Sequence, residues 1–581
     1  MKPFDKYGTR IMLAVAVTIV FTAAVWVIYP IQFETNDDYT LMLIASGATF
    51  GSPSAVSVYS AYAQGLLLSR LYTAFPSLPW YGFYQLFLIW FSLCVIIYCF
   101  LDTAYREKIY FLYTAVFIGG FLLLFAMQSV FLLQFTVTLA FPSGAAFLLF
   151  FRYAPSYSAQ IRTFVVYALS IFILSLAAYS MRHGTAVIPG LIITLAIALW
   201  KLVFEKNIPR RHIALLAVCP FVAIALLTAQ TTYANNSGGW AKFLEYNKQR
   251  SLYIDYNRQD YVAAPEVFDA VGWTPEQVDL INEWCFMFDG INANTFALIN
   301  AGLEQAGKRV KPFDFIIRIP PAFERNKTTL RVLGLTILSV VAFAVYRLRC
   351  KKIKIHLQRD NEFFAKSVFL AGLSLLFCAF ALYLLIIGRF PARAMRMLLL
   401  MTSPCIVYAL FTMCHKIFDA RQKWAICAVL AGILLITAFS QRPQHYQTLK
   451  ESRLIDNMAV YVTNRPHNIY IYGSDELALS TADPLTVYPD MGNLLFWGGW
   501  KMFTPLFYRQ IERLGLSELT FDVFLRDNVY FLSYNPLPAF VDYLREQYPK
   551  HELSITDSFY DNAGNTVNVY KLKNRSPCVN N

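Results

Sequence analysis

What the 581-residue chain has least of is charge: Asp, Glu, Lys and Arg together make up 15%, against about a quarter in an ordinary soluble domain. A soluble enzyme is excluded, and with 57% hydrophobic residues so is a disordered chain. Cysteine offers no scaffold. Of the ten cysteines, Cys94, Cys99, Cys219, Cys378 and Cys427 lie inside apolar runs as small hydrophobes, and neither zinc spacing nor a CxxC motif occurs. The sequence also lacks an internal repeat, a low-complexity segment and the alternating ten-residue pattern of an outer-membrane barrel.

What it has instead is long apolar runs, at 11–29, 81–101, 109–127, 130–151, 164–178, 186–204, 213–228, 330–346, 367–387, 397–411 and 424–439. Each is roughly 15 to 22 residues, the length a ~30 Å hydrocarbon core demands. The sequence therefore predicts a polytopic α-helical membrane protein with about eleven transmembrane helices. The first run follows Lys2, Lys6 and Arg10 and has no small-x-small cleavage site after it, so it reads as a retained helix. The tightest connection is a turn expected at Gln128-Ser129 between the third and fourth spans.

A net charge of +13 invites a nucleic-acid reading. The distribution rejects it, because the basic residues concentrate in short connections at 102–108, 152–162, 201–212, 347–359 and 415–423, the positive-inside pattern. The expected location is the cell membrane, multi-pass, in a bacterial plasma or inner membrane. The N-terminus is then cytoplasmic and, after an odd number of spans, the C-terminus extracytoplasmic.

Three large pieces face outward in this reading. A transmembrane module, 1–440, carries outer loops 30–80 and 229–329, and an extracytoplasmic α/β domain follows at 441–581. Loop 30–80 opens with Glu34-Thr-Asn-Asp-Asp-Tyr and continues as a semi-apolar helix over 56–75, expected along the membrane interface. In loop 229–329, Thr274-Pro-Glu-Gln marks a helix start with Thr as N-cap and Gln at N3. In the last piece, strand-like 468–472, 528–532 and 566–570 alternate with a helical stretch at 539–547. The stretch 493–500, ending Trp-Gly-Gly-Trp, reads as core or a docking edge, with sugar stacking on its Trp rings as the lesser reading.

Ionisable residues outside the basic loops are the informative ones in a membrane protein. One cluster is acidic: Asp37 and Asp38, with Glu34 nearby. The other is basic: Arg389, Arg393 and Arg396 in a late outer loop, together with Arg182 beside His183 in the turn after the fifth span. A carboxylate at the mouth of a membrane cavity can take a proton from a hydroxyl. Guanidinium groups can hold a phosphate through two parallel hydrogen bonds. Together they describe transfer from a phosphorylated donor. The plainer readings are a solvated turn for the aspartates and snorkelling to lipid phosphates for the arginines, most of all Arg396. The acidic pair could hold a divalent metal, yet it lacks an Asp-x-Asp offset and a third ligand. No cofactor is expected.

The layout resembles the GT-C superfamily of membrane glycosyltransferases, which includes protein mannosyltransferases and bacterial aminoarabinose transferases. The resemblance runs from end to end and is carried by Asn36-Asp37-Asp38 in a large first outer loop, interfacial helix in that loop, many further spans, Arg389 and Arg393 in a late outer loop, and a C-terminal outer domain. It implies a sugar donor linked to a polyprenyl phosphate, an inverting transfer on the outer face, and a first-loop Asp as general base, which maps onto Asp37 or Asp38. The adjacent aspartates depart from the metal-dependent oligosaccharyltransferase members. The function expected is an integral membrane glycosyltransferase moving a sugar to an envelope glycan, lipid or protein acceptor, with membrane lipids as the remaining partners. Asp37 or Asp38 is the catalytic residue, and Arg182, Arg389, Arg393, Arg396 and Glu34 bind substrate. The rivals are a transporter or flippase of lipid-linked glycans and an O-antigen-type polymerase. Neither the repeated hydropathy halves nor the broken helices of transporters are evident.

Overall fold

The computed structural model describes residues 7–154, 160–182, 184, 186–308, 357–387, 391–417, 422, 453–473 and 482–575. Among them are nine helices long and apolar enough to cross a membrane: Tyr7–Ile28, Trp80–Arg106, Phe111–Phe131, Phe135–Arg152, Ile161–Met181, Val187–Phe204, Arg210–Asn235, Phe364–Ile386 and Ala392–Lys416. These correspond to nine of the eleven expected spans. The other two, 330–346 and 424–439, lie outside the described residues. The chain is a multi-pass membrane protein.

Their surfaces divide by position. Tyr7–Ile28 presents Met12, Ile19, Val20 and Val27 outward, as a lipid-facing helix does, whereas Ala392–Lys416 is covered on nearly all sides and forms the centre of the bundle. At one end of the bundle the buried carboxylate of Asp102 accepts from Arg106 at 2.8 Å and also pairs with Arg10 and Arg152, tying the first, second and fourth spans together. A lone carboxylate would be costly at that depth, and three guanidinium partners remove the cost.

The expected turn at Gln128-Ser129 is not where the chain reverses. Both residues are helical, in Met127–Phe131, and the break comes at Leu132–Leu133 and Gln134. Gln134 supplies the physical reason: it is extended, and its side-chain oxygen accepts from Val137 N at 2.9 Å, capping the next helix. A polar pair in an apolar run was the wrong signal.

Two short strands, β1 (Gln32–Phe33) and β2 (Leu132–Leu133), pair in parallel at the opposite end of the bundle from Asp102. Loop 30–80 then forms a helix at Asn36–Ser46, which ends on left-handed Gly47, and a second helix at Tyr62–Ala74. The second starts six residues later than the expected position 56, because 56–61 are not helical and bend at 58–60. Loop 229–329 is helical as expected, with Trp240–Ser251, Pro265–Asp269, Pro275–Asn282 and Ala293–Gln305, and Thr274 and Gln277 form the anticipated capping box. Its residues 309–329 lie outside the described residues.

The C-terminal region forms a five-stranded mixed sheet of β3 (Ile469–Tyr472), β4 (Leu494–Phe496), β5 (Val529–Ser533), β6 (His551–Tyr560) and β7 (Thr566–Asn574), in the order β4-β3-β5-β7-β6. The first three strands are mutually parallel and the last two close an antiparallel hairpin. β3 is buried at every position, which suits a continuous Ile-Tyr-Ile-Tyr run rather than alternation. The sheet region docks onto loop 229–329 through a bridge between Cys285 and Gly498 and a bond from Phe286 N to the Trp497 carbonyl at 2.9 Å.

Candidate active site

The β1–β2 pair sets the local frame. Glu34 N donates to the Leu133 carbonyl at 2.8 Å, so the chain leaving β1 runs directly beneath the start of the fourth span. Helix Asn36–Ser46 begins there, with extended Thr35 as its N-cap residue and both aspartates in its first turn, where the positive end of the helix favours carboxylates. The Asp-Asp pair is therefore not a solvated turn. Stretch 482–491 covers the helix: Phe33 N donates to the Ala482 carbonyl, and Tyr39 meets Tyr488 edge-on at 5.4 Å.

The adjacent aspartates occupy different environments. Asp38 is completely buried. Its Oδ1 accepts from Gln85 Nε2 at 2.9 Å, Phe135 N at 2.9 Å and the Tyr81 hydroxyl at 3.2 Å, and its Oδ2 accepts from Thr35 Oγ1 at 3.1 Å. Burial pushes its carboxyl up to about 7, with Asp37 adding to the rise and the bonds from Gln85, Phe135 and Thr35 opposing it. Such a value would suit a base, while four donors enclose the group. Those bonds tie the first turn of the helix to Thr35, to the second span and to Phe135.

Asp37 retains some exposure and joins the two charged clusters. Its Oδ2 accepts from Arg393 Nη1 at 3.1 Å and its Oδ1 from Trp500 Nε1 at 2.8 Å. Glu34 pairs with Arg396 one helical turn further along Ala392–Ile417. In the sequence the arginines read as holders of a donor phosphate. Arg393 and Arg396 contact the carboxylates directly, because a buried arginine without a counter-charge is costly. Arg393 spends one N–H on Asp37, and its partly exposed guanidinium has further donors. Arg396 does not snorkel: it is 8% exposed and turned into the bundle.

Arg182 lies against the same wall. Its guanidinium stands 5.1 Å from the Tyr59 ring centre and 4.9 Å from that of Phe135, and Nη1 donates to Thr136 Oγ1 at 2.9 Å. Arg389 and His183 lie outside the described residues. The Tyr59 hydroxyl is pushed up by burial first and by Asp37 next, with Arg250 and Arg182 pulling the other way, which marks Arg250 as a further cation near the site. Arg250 is 1% exposed, rests over Trp284 at 5.0 Å, and donates from Nε and Nη2 to Asn247 Oδ1.

Gln85, Tyr81 and Arg250 carry no site assignment in the sequence, and Trp500 reads there only as part of a core or docking stretch with sugar stacking as the lesser reading. Gln85 had a signal, a polar side chain inside an apolar span. The others are distant in sequence or resemble ordinary aromatic and loop residues. Among the described residues no three metal-ligating side chains cluster.

No family model matches the chain, and no curated protein matches it. Among solved structures it is similar to ArnT from Cupriavidus metallidurans bound to undecaprenyl phosphate, at 14% identity and a TM-score of 0.39 over 97% of this chain and 98% of that one. It is similar also to ArnT from Cupriavidus metallidurans in the apo state, at 14% identity and a TM-score of 0.38 over 96% and 97% of the two chains.

Proposed function

We propose that this protein is an integral membrane glycosyltransferase that moves a sugar from a polyprenyl-phosphate-linked donor to a hydroxyl-bearing acceptor at the outer face of the membrane. The observation that carries the reading is Asp37: a carboxylate at one end of the bundle, bonded at both oxygens, with its side chain 13% exposed and beside an arginine with further donors. The end-to-end resemblance to GT-C enzymes noted in the sequence supports it.

In this reaction the acceptor oxygen attacks the anomeric carbon and its proton passes to Asp37. The bond from that carbon to the phosphate oxygen breaks, and polyprenyl phosphate leaves with the bonding electron pair. The outcome at the sugar is inversion. Arg393 and Arg182 face the phosphate, where preorganised donors stabilise charge as it develops; Arg389 is assigned to the phosphate from the sequence alone. Glu34 and Arg396 brace one another behind Arg393. We write the step without a metal ion.

The test is transfer by the detergent-solubilised protein from a panel of polyprenyl-phosphate-linked hexoses and pentoses, with a chelator in a parallel run. Asp37→Asn keeps the shape but has no basic oxygen, so its rate should fall by about 10²- to 10⁴-fold, while Asp38→Asn keeps most of its activity and chelation changes nothing. Arg393→Lys should lose much of the rate, since an ammonium cannot bond Asp37 and a phosphate in one plane. Full transfer by both aspartate variants would remove the base. Movement of the lipid across vesicles without transfer would make the protein a flippase.

A further inference from the structure

The stretch at 493–500, which reads as core or a docking edge in the sequence, reaches further than either reading. Trp500 is 6% exposed, and a buried indole N–H needs an acceptor. Its acceptor is the Asp37 carboxylate, at 2.8 Å, while its ring meets Tyr59 edge-on at 4.9 Å. The backbone that delivers it is under constraint. A Cβ on Gly498 would lie 1.5 Å from the Trp284 carbonyl oxygen. Gly499 has φ +90°, and Phe503 has φ +64°, a region costly for a residue with a side chain. The two glycines meet this geometry without steric cost, and the strain at Phe503 persists only where surrounding packing imposes it, as is common near functional sites.

We propose that Trp500 is a positioning residue for Asp37, so that the C-terminal sheet region completes the catalytic site of the membrane bundle. The inference rests on the reading of Asp37 as the base. An aspartate carboxylate turns easily about its last bond, whose torsion is broad and roughly two-fold. Arg393 on one oxygen fixes a point, and Trp500 on the other fixes the plane. Each oxygen still has a lone pair to receive the acceptor's proton. Without the indole N–H the carboxylate pivots on Arg393, and displacement of a reacting group by about 1 Å is enough to cost about 100-fold in rate.

Trp500→Phe removes the N–H and keeps an aromatic ring against Tyr59. With the donor panel above, its kcat should fall about 10- to 100-fold while the donor KM stays within about 2-fold of wild type. Full activity overturns the proposal, and so does a raised KM with unchanged kcat, which would make the ring a sugar-stacking platform. The contact itself is checked without substrate, from the melting temperatures of Trp500→Phe, Asp37→Ala and the double variant. With the bond present, the double variant loses less than the sum of the two single losses, and strictly additive losses overturn the contact. If Asp37→Asn transfers sugar at full rate, the base assignment is what fails. If Asp37→Asn is inactive and Trp500→Phe is unimpaired, only the positioning role fails.

Discussion

Two neighbouring carboxylates with the same side chain stand in different surroundings, and their behaviour on substitution should differ accordingly. Asp38→Ala leaves Gln85, Tyr81, Thr35 and the Phe135 N–H facing no acceptor in a buried site, at a cost of about 2 to 4 kcal/mol. Asp38→Asn keeps a carbonyl oxygen for the three donors on Oδ1 and turns its amide toward the Thr35 hydroxyl, which can accept; its loss should stay near 1 kcal/mol, about one hydrogen bond. The protonation of Asp38 gives a second test. Because its carboxyl is raised from 3.8 to about 7, the folded protein holds a proton that the unfolded chain gives up, so stability falls as pH rises across that window and levels off above it. Melting temperature measured from about pH 4 to pH 8 should show this decline in wild type and a flatter profile in Asp38→Asn. The sequence indicated that these carboxylates mattered, since charge beside an apolar span is rare. It could not assign their roles, because the partners that separate them stand tens to hundreds of residues away.

Elements were legible in proportion to how continuous their pattern is. The spans stood out because a membrane helix is apolar on every face, and the nine described helices follow the expected runs closely. Helix Asn36–Ser46 did not, since Asn-Asp-Asp reads as a turn until the carboxylates find buried donors. Strand β6 escaped for the opposite reason: it is largely exposed, so its residues show no apolar alternation. The end of helix Asn36–Ser46 is the element on which the aspartates depend most. Gly47 has φ +80°, and a Cβ there would lie 2.3 Å from the Ser52 carbonyl carbon and 2.5 Å from Pro53 N, both backbone atoms that cannot turn aside. Gly47→Ala should therefore cost about 2 kcal/mol or more, combining left-handed strain with overlap. It should lower the melting temperature and the transfer rate together; wild-type stability in that variant would show that the turn can relax.

For the whole molecule, orientation follows from charge. The basic connections predict that 347–359 faces the cytoplasm while Ser237 and Asn574 face outward. Single cysteines at Ser237, Lys354 and Asn574, probed on intact cells with an impermeant thiol reagent against a wild-type background, should label at the first and last only. Labelling at Lys354 alone would invert the protein in its membrane. The two aspartates also differ in when their partners are made. Asp38 bonds to Tyr81, Gln85 and Phe135, which follow it by 43, 47 and 97 residues, so the helix is anchored once the fourth span has begun to emerge. Asp37 waits for Arg393, 356 residues later, and for Trp500, 463 residues later. At about 5 to 20 residues per second, the ribosome takes roughly 25 to 90 s to close that second interval. A nascent chain can thus occupy the membrane with Asp38 already bonded while Asp37, the proposed base, remains without its two partners, and a chain stopped short of residue 500 would lack the Trp500 bond.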